Sequence, residues 1–177
     1  MKIITCLFLM LGLAVPQMEE EKIPWSSDQK LTWSDFRGIP STSEEYVAST
    51  NSGISFAYSM RQTSGEAEIQ YTVISNFYPD LSWYRPERVN DYILEHEQTH
   101  FDISELHARK IRRALSNLSK DLNFKEAAEE IYNTLEAERR AMQLQYDAET
   151  DHSNRKSEEY RWRTFVEDQL KALESWK

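Results

Sequence analysis

The stretch Ile93-Leu94-Glu95-His96-Glu97-Gln98-Thr99-His100-Phe101 lies in the C-terminal half of the chain, where residues 87–177 contain neither glycine nor proline. Because these two residue types are the strongest helix breakers, their absence favours long helices. Apolar residues recur there at three- and four-residue steps, and they predict three helices over about residues 86–118, 123–146 and 155–176. The quoted stretch therefore falls in the middle of the first long helix.

Residues 23–86 have a different composition, rich in aromatic residues and turn formers. Apolar and polar residues alternate over residues 54–60 and 67–73, which predicts two strands joined by a turn. Residues 31–36 are interpreted as a further strand or a short helix. These patterns predict an α+β fold, in which a small antiparallel sheet from the mainly β segment 23–86 packs on a bundle of about three long helices from the mainly α segment 87–177.

The first residues have the pattern of a secretory signal peptide. Lys2 precedes an apolar run over residues 3–15, which is followed by a proline and several acidic residues. A bilayer span needs about 20 apolar residues, so this run is too short to cross a membrane. We expect residues 1–18 to be a signal peptide and residues 19–177 to form one exported domain, periplasmic or extracellular, with no membrane span. Cys6 is the only cysteine, so the mature chain would have no disulfide.

The overall charge argues against a nucleic-acid partner. The chain of 177 residues carries 21 Lys and Arg against 30 Asp and Glu, a formal net charge of −9. Proteins that coat phosphate backbones need the opposite balance. The basic residues on the first helix are expected to form a solvated face; they are Arg109, Lys110, Arg112 and Arg113.

The first predicted helix contains the pattern H-E-x-x-H at His96, Glu97 and His100. Two histidines four residues apart project from one helical face about 6 Å apart, so both can bind one zinc ion. Glu97 lies beside them and would act as the general base on a zinc-activated water. The pattern predicts a zincin-like helix with one Zn²⁺ per chain. The alternative is a pair of surface histidines hydrogen-bonded to nearby carboxylates.

A catalytic zinc usually has three protein ligands, so a third one is needed. His107 lies near the same helical face, but about 10 Å beyond His100 along the helix axis, which is too far. Residues 147–154 are predicted to be a polar junction between the second and third helices. His152 in this junction is the predicted third ligand, and Glu149 and Asp151 are the alternatives.

Further residues near the motif have possible supporting roles. Tyr146 is predicted to donate a hydrogen bond to the oxyanion formed in peptide hydrolysis. The alternative is a core tyrosine that ends the apolar stripe of the second helix. Asp102, Glu105 and Asp147 are possible acceptors for the N–H groups of ligand histidines.

Three blocks of the sequence, Leu31–Gly38, His96–Ile103 and Tyr146–His152, together resemble the bacterial family designated domain of unknown function 922. The family consists of exported proteins proposed to be zinc-dependent proteases. The resemblance implies that His96, His100 and Glu97 have the usual roles of this motif, and it indicates His152 as a site residue. Ser153 is a departure, because glycine is expected there in the family.

These observations predict an exported zinc metallohydrolase, a peptidase acting on a peptide or protein substrate. The alternative is a non-enzymatic, exported helical binding module with a structural or vestigial metal site. Structural zinc sites are usually closed by four ligands and often use cysteine, which the mature chain lacks. This favours an open, catalytic site.

Overall fold

A computed structural model describes residues 20–42, 46–63, 66–121 and 123–177. The predicted signal peptide, residues 1–18, lies outside the described residues. Within the described part of the chain, no helix is both long enough and apolar enough to cross a bilayer.

The N-terminal half forms a small antiparallel sheet. Strands β3 (Ser52–Thr63) and β4 (Glu66–Phe77) make the predicted hairpin, with Ser52 opposite Phe77. Both strands are longer than the alternating patterns predicted. The short strand β1 (Ile23–Pro24) pairs with the other edge of β4, which gives the order β1-β4-β3.

A second, two-stranded ladder joins β2 (Ala48–Ser49) to β5 (Trp83–Tyr84), again antiparallel. One turn of 3-10 helix, Trp33–Asp35, occupies the segment that was expected to be a strand or a short helix. Further 3-10 turns cover Pro79–Leu81, Pro86–Arg88 and Glu174–Trp176.

Three long helices follow, α1 (Asp91–Ser116), α2 (Phe124–Thr150) and α3 (Lys156–Ala172), so the predicted α+β fold is confirmed. Helix α1 begins later than predicted, because the Asn90 side chain caps it by accepting a hydrogen bond from the Ile93 N–H. Helix α2 continues four residues beyond its predicted end. It stops where Asp151 adopts a left-handed backbone with φ of 50°.

Helix α1 is the centre of the molecule, in contact with β3, β4, α2 and α3. One apolar cluster joins its C-terminal half to the sheet and α2 and includes Ile54, Val73, Ile111 and Phe124. A second joins α1, α2 and α3 and includes Ile103, Tyr146, Trp162 and Val166. Because both clusters are anchored on α1, its middle turns are held against the other two helices.

Two of the four basic residues of α1, Arg109 and Arg112, do not belong to the solvated face that was expected, whereas Arg113 is exposed. Arg109 is 1% exposed, and its guanidinium donates to Glu105 and to the Leu170 carbonyl. Arg112 donates to the same carboxylate and to the Val73 carbonyl. Both cations therefore connect α1 to its neighbours, because each has buried acceptors within reach.

Candidate metal centre

The two histidines of the H-E-x-x-H pattern lie on one face of α1 and point toward the same place. His96 is buried and His100 is nearly so, and their Nε2 atoms are 3.2 Å apart. Because these two Nε2 atoms lie so close together, both could bind the same ion. They are therefore not the surface histidines of the alternative interpretation.

Asp147 on α2 completes the group. Its Oδ1 atom lies 3.0 Å from Nε2 of His100 and 3.3 Å from Nε2 of His96. Among the described residues, these three form the one group of ligand atoms close enough together to hold a metal ion. A tetrahedral zinc ion with bonds of about 2.0–2.1 Å separates its ligand atoms by roughly 3.3 Å. Two imidazole nitrogens and a carboxylate oxygen at these distances fit zinc.

The outer nitrogens of both histidines are also held. Nδ1 of His96 lies 3.0 Å from Oε2 of Glu159 on α3. Nδ1 of His100 is hydrogen-bonded to Oε1 of Gln143, whose Nε2 donates to the His100 carbonyl at 3.0 Å. A histidine that donates from Nδ1 presents the lone pair of Nε2, which is the form that binds a metal. The outer contacts therefore orient both rings for one ion.

Glu159 is itself fully buried and fixed by three donors. Besides His96, the Tyr146 hydroxyl donates to its Oε1 at 2.5 Å and Arg163 Nε donates to the same atom at 2.8 Å. Burial alone would raise the pKa of Glu159, but the hydrogen bonds from His96, Tyr146 and Arg163 lower it. Glu159 is thus a buried carboxylate that stays ionised next to His96.

The charges of the group are strongly coupled. Burial would lower the pKa of His96, but its hydrogen bonds to Asp147 and Glu159 raise it to about 9. Burial would raise the pKa of Asp147, but the hydrogen bonds with His100 and His96 hold it well below its usual range. A metal ion that binds here must displace a proton from His96.

Glu97 is buried beside these ligands, and its Oε2 atom has no hydrogen-bond partner among the described residues. Leaving a buried carboxylate oxygen unpaired is costly, since burial removes its water without replacing the lost hydrogen bond. Such an atom indicates a position where a ligand, water or substrate completes the site.

His96, His100 and Asp147 are called the metal group below. Together with Glu97 they line one open cleft of about 1370 Å³. One wall is the segment of residues 46–52, which contains β2, and the other is α2 between Arg139 and Ala148. At one end the Tyr46 ring packs against His152, and at the other Ser52 is hydrogen-bonded to Ser104. The cleft therefore runs along β2, with the metal group between its ends.

The structure brings some of the predicted site residues together and places another at the edge of the cleft. His96, Glu97 and His100 come together as predicted. His152 lies at the rim of the cleft, 46% exposed, with Nδ1 3.7 Å from Oδ1 of Asp147, and it is outside the group of three ligand atoms. The third member of that group is Asp147.

The two alternatives for the third ligand are also elsewhere. Glu149 accepts hydrogen bonds from Arg161 and from Trp162 Nε1, so it faces α3. Asp151 is the exposed residue that ends α2. His107 is buried away from the group, with its Nδ1 2.9 Å from the Ile103 carbonyl, as its distance along the helix indicated.

Tyr146 is fully buried behind the metal group rather than in the cleft. Its ring stacks on the His96 ring with centroids 4.6 Å apart, and its hydroxyl donates a hydrogen bond to Glu159. Burial and the neighbouring Glu159 raise its pKa well above the usual value. This placement gives Tyr146 a supporting contact to a ligand, which differs from the predicted contact to an oxyanion.

The sequence patterns indicate Asp147 only as a hydrogen-bond acceptor, and they do not indicate Gln143 or Glu159. The sequence does contain a signal for Gln143 and Asp147, because these two residues are four residues apart, like His96 and His100. If α2 continues to Thr150, both side chains share one face. Glu159 has no comparable local signal, because its contact with His96 spans 63 residues.

Comparison with known proteins gives one family and no individual relative. A family model described as "Bacterial protein of unknown function (DUF922)" matches residues 35–153. The match includes His96, Glu97, His100, Gln143 and Asp147, and it ends before Glu159. No curated protein and no solved structure matches the chain.

Proposed function

The chain belongs to the DUF922 family of bacterial proteins, and because that family has no known function, we propose one from the site itself: zinc-dependent hydrolysis of amide bonds in peptides or proteins. One observation carries this proposal. Three candidate ligand atoms, 3.0–3.3 Å apart, lie beside the unpartnered Oε2 atom of Glu97 in an open cleft.

His96, His100 and Asp147 would hold the metal. Zinc bound by three protein ligands acts as a Lewis acid and lowers the pKa of water to about 7. Glu159 and Gln143 hold the two histidine rings through Nδ1, while Tyr146 packs on His96 and fixes Glu159. In this proposal Tyr146 is a positioning residue.

Glu97 is proposed as the general base. Its Oε2 atom would accept a proton from the attacking water and then deliver that proton to the leaving amine. The unpartnered state of Oε2 supports this role, because a carboxylate held by internal donors would be a weaker base. A closed structural metal site would not require this unpartnered carboxylate oxygen.

The shape of the cleft supports a peptide substrate. In the described part of the chain β2 pairs only with β5, and residues 46–52 form a wall of the cleft along their length. The Thr50 hydroxyl donates to the Glu97 carbonyl, so this wall is hydrogen-bonded to α1. An extended peptide could hydrogen-bond along such a segment and place one amide beside Glu97. The signal-peptide pattern of residues 1–18 supports action outside the cytoplasm.

The test combines metal content with activity. The purified chain should contain about one zinc per molecule and cleave members of a quenched-fluorescence peptide library. Glu97→Gln should keep the zinc and lower kcat by about 10²-fold or more, since it removes the base without a ligand. Glu130→Gln, at an exposed position of α2, is the matched control and should leave both unchanged. A zinc-loaded wild type that cleaves no peptide would overturn the proposal.

A further inference from the structure

The charge of the cleft is opposite to that of the protein. The whole chain carries a formal net charge of −9. The described residues that line the cleft nevertheless include three arginines, Arg88, Arg139 and Arg140, and their only carboxylates are Glu97 and Asp147. A bound zinc ion would offset the charge of both carboxylates. A substrate in this cleft therefore meets positive charge in an otherwise acidic protein.

Two of these arginines are adjacent on α2 and share one counter-ion. Glu136 accepts from Arg139 Nη2 at 2.6 Å and from Arg140 Nε at 3.2 Å. No other carboxylate of the described residues is within ion-pair distance of either arginine. Arg139 is buried and its Nη1 also donates to Ser104, whereas the Arg140 side chain is 71% exposed. The pair therefore carries one surplus positive charge, located on the exposed member.

Arg140 is also the arginine with free donors. Its Nε is used by Glu136, and its two Nη groups find no hydrogen-bond partner among the described residues. A guanidinium with both Nη groups free can bind a carboxylate through two parallel hydrogen bonds.

The position of Arg140 fixes where on the substrate such a carboxylate would lie. His100 contacts Asp147 and Ser104 contacts Arg139, so α1 and α2 run antiparallel and Arg140 lies toward the Ser104 end of the cleft. Arg140 precedes Asp147 by seven residues, a rise of about 10 Å along α2. An extended peptide advances about 3.3 Å per residue. The separation therefore corresponds to about three residues of bound substrate.

From this arrangement we propose that Arg140 is a specificity residue, which selects peptide substrates with a carboxylate about three residues from the cleaved bond. The inference rests on the proposed peptidase function and adds the substrate class to it. The carboxylate can come from an aspartate or glutamate side chain or from the C-terminus of the peptide. Both would form the same charge-assisted hydrogen bonds with the guanidinium.

The test compares matched peptides. Quenched-fluorescence peptides carry Glu, Gln or Lys at each of the three positions on either side of the cleaved bond and end in a C-terminal amide. A second set has Gln at every position and a free C-terminal carboxylate. We expect kcat/KM to be about fivefold higher for Glu than for Gln at one position on one side of the bond, and to be lowest for Lys. The preference should shrink at high salt, because Arg140 is exposed.

Variants separate the two proposals. Arg140→Gln should abolish the Glu preference while cleavage of the Gln peptide is retained, and Arg140→Glu should reverse it in favour of Lys. Arg113→Glu, at an exposed position of α1 outside the cleft, is the charge-matched control and should keep the wild-type preference. Cleavage of all peptides with no dependence on charge, or a preference that survives Arg140→Glu, would overturn this inference and leave the proposed function intact. If no peptide is cleaved, the proposed function fails and this inference fails with it. Preference only for the free-carboxylate set would assign the contact to the peptide C-terminus.

Discussion

The Nδ1 atom of His96 lies 3.0 Å from Oε2 of Glu159, a carboxylate 63 residues further along the chain and completely buried. This contact crosses from α1 to α3 behind the three ligand atoms. It fixes the orientation of the His96 ring and favours the form whose Nε2 binds a metal. The metal group on α1 and α2 therefore depends on the third helix as well.

Glu159→Gln tests this dependence. Glutamine keeps the size of the side chain but removes its charge, so zinc affinity should fall about 10–100-fold. Arg163 also loses its buried ionic acceptor, which should lower the free energy of unfolding by roughly 1–3 kcal/mol. Zinc competition with a chelator and urea denaturation measure the two effects. Glu158→Gln, one residue earlier and more exposed, should change neither by a comparable amount. Wild-type zinc affinity in Glu159→Gln would show that the contact does not support the metal.

The ligand set is tested by a series of variants near the end of α2. Asp147→Asn should lower zinc affinity by more than the roughly 100-fold upper limit for an outer partner. Glu149→Gln, Asp151→Asn and His152→Ala should retain about one zinc per chain, because none of these residues belongs to the group of ligand atoms. Metal analysis after dialysis distinguishes them. Loss of zinc in His152→Ala with retention in Asp147→Asn would assign the third ligand to His152, as the sequence predicts.

His107 makes the stability of the fold sensitive to acid. Burial, together with the nearby cations Lys110 and Arg139, lowers its pKa to about 4, against which the Ile103 carbonyl and Glu136 act only partly. The Lys110 ammonium lies 3.4 Å from its Nε2, so a protonated ring would face a like charge. The ring is therefore neutral in the folded chain at pH 7.

The sign of the pH effect follows from the two states. In the unfolded chain His107 has its ordinary pKa of about 6.5, so below that pH the unfolded state binds a proton that the folded state does not. Stability should fall as pH drops from about 6.5 to 4, by on the order of 3 kcal/mol in total. Urea denaturation between pH 7 and 4 should show a shallower pH dependence for His107→Gln than for the wild type. Parallel curves would contradict the expectation.

Ser153 occupies a backbone position that suits glycine. Its φ is 67°, the last of three consecutive left-handed residues after α2. A side chain is strained in this region, so Ser153→Gly should raise the free energy of unfolding by about 0.5–1 kcal/mol. Its carbonyl would still accept from the Tyr92 hydroxyl, since that contact uses the backbone. Ser157→Gly, in the first turn of α3, should not stabilise the chain. Denaturation of both variants in urea measures the difference.

The sequence was sufficient where the relevant contacts are local. The 3.6-residue period predicted the three helices and brought His96 and His100 to one face, and alternation predicted the β3–β4 hairpin. The helical rise also separated His107 from the metal group. Each of these depends only on neighbours within a few turns of the same element.

The place of Asp147 beside the two histidines depends on information that local sequence patterns do not contain. The polar residues after Tyr146 predicted a junction, yet α2 continues to Thr150, whose Oγ1 is hydrogen-bonded to the Tyr146 carbonyl. This extra turn keeps Asp147 on the helical face that α1 covers. The burial of Arg109 escaped prediction for the same reason, because its buried acceptor on α3, the Leu170 carbonyl, is set by packing between helices.

The family match ends at residue 153, between α2 and α3, so it leaves out the whole of α3. A chain ending at residue 153 would contain the candidate ligands and Glu97, but it would lack Glu159 and Arg163 and would leave Tyr146 uncovered. The candidate ligands therefore lie within the matched region, whereas some of the residues that orient them lie in α3, beyond that region. The smallest fragment that holds a fully supported centre must extend through α3, beyond the region by which the family is recognised.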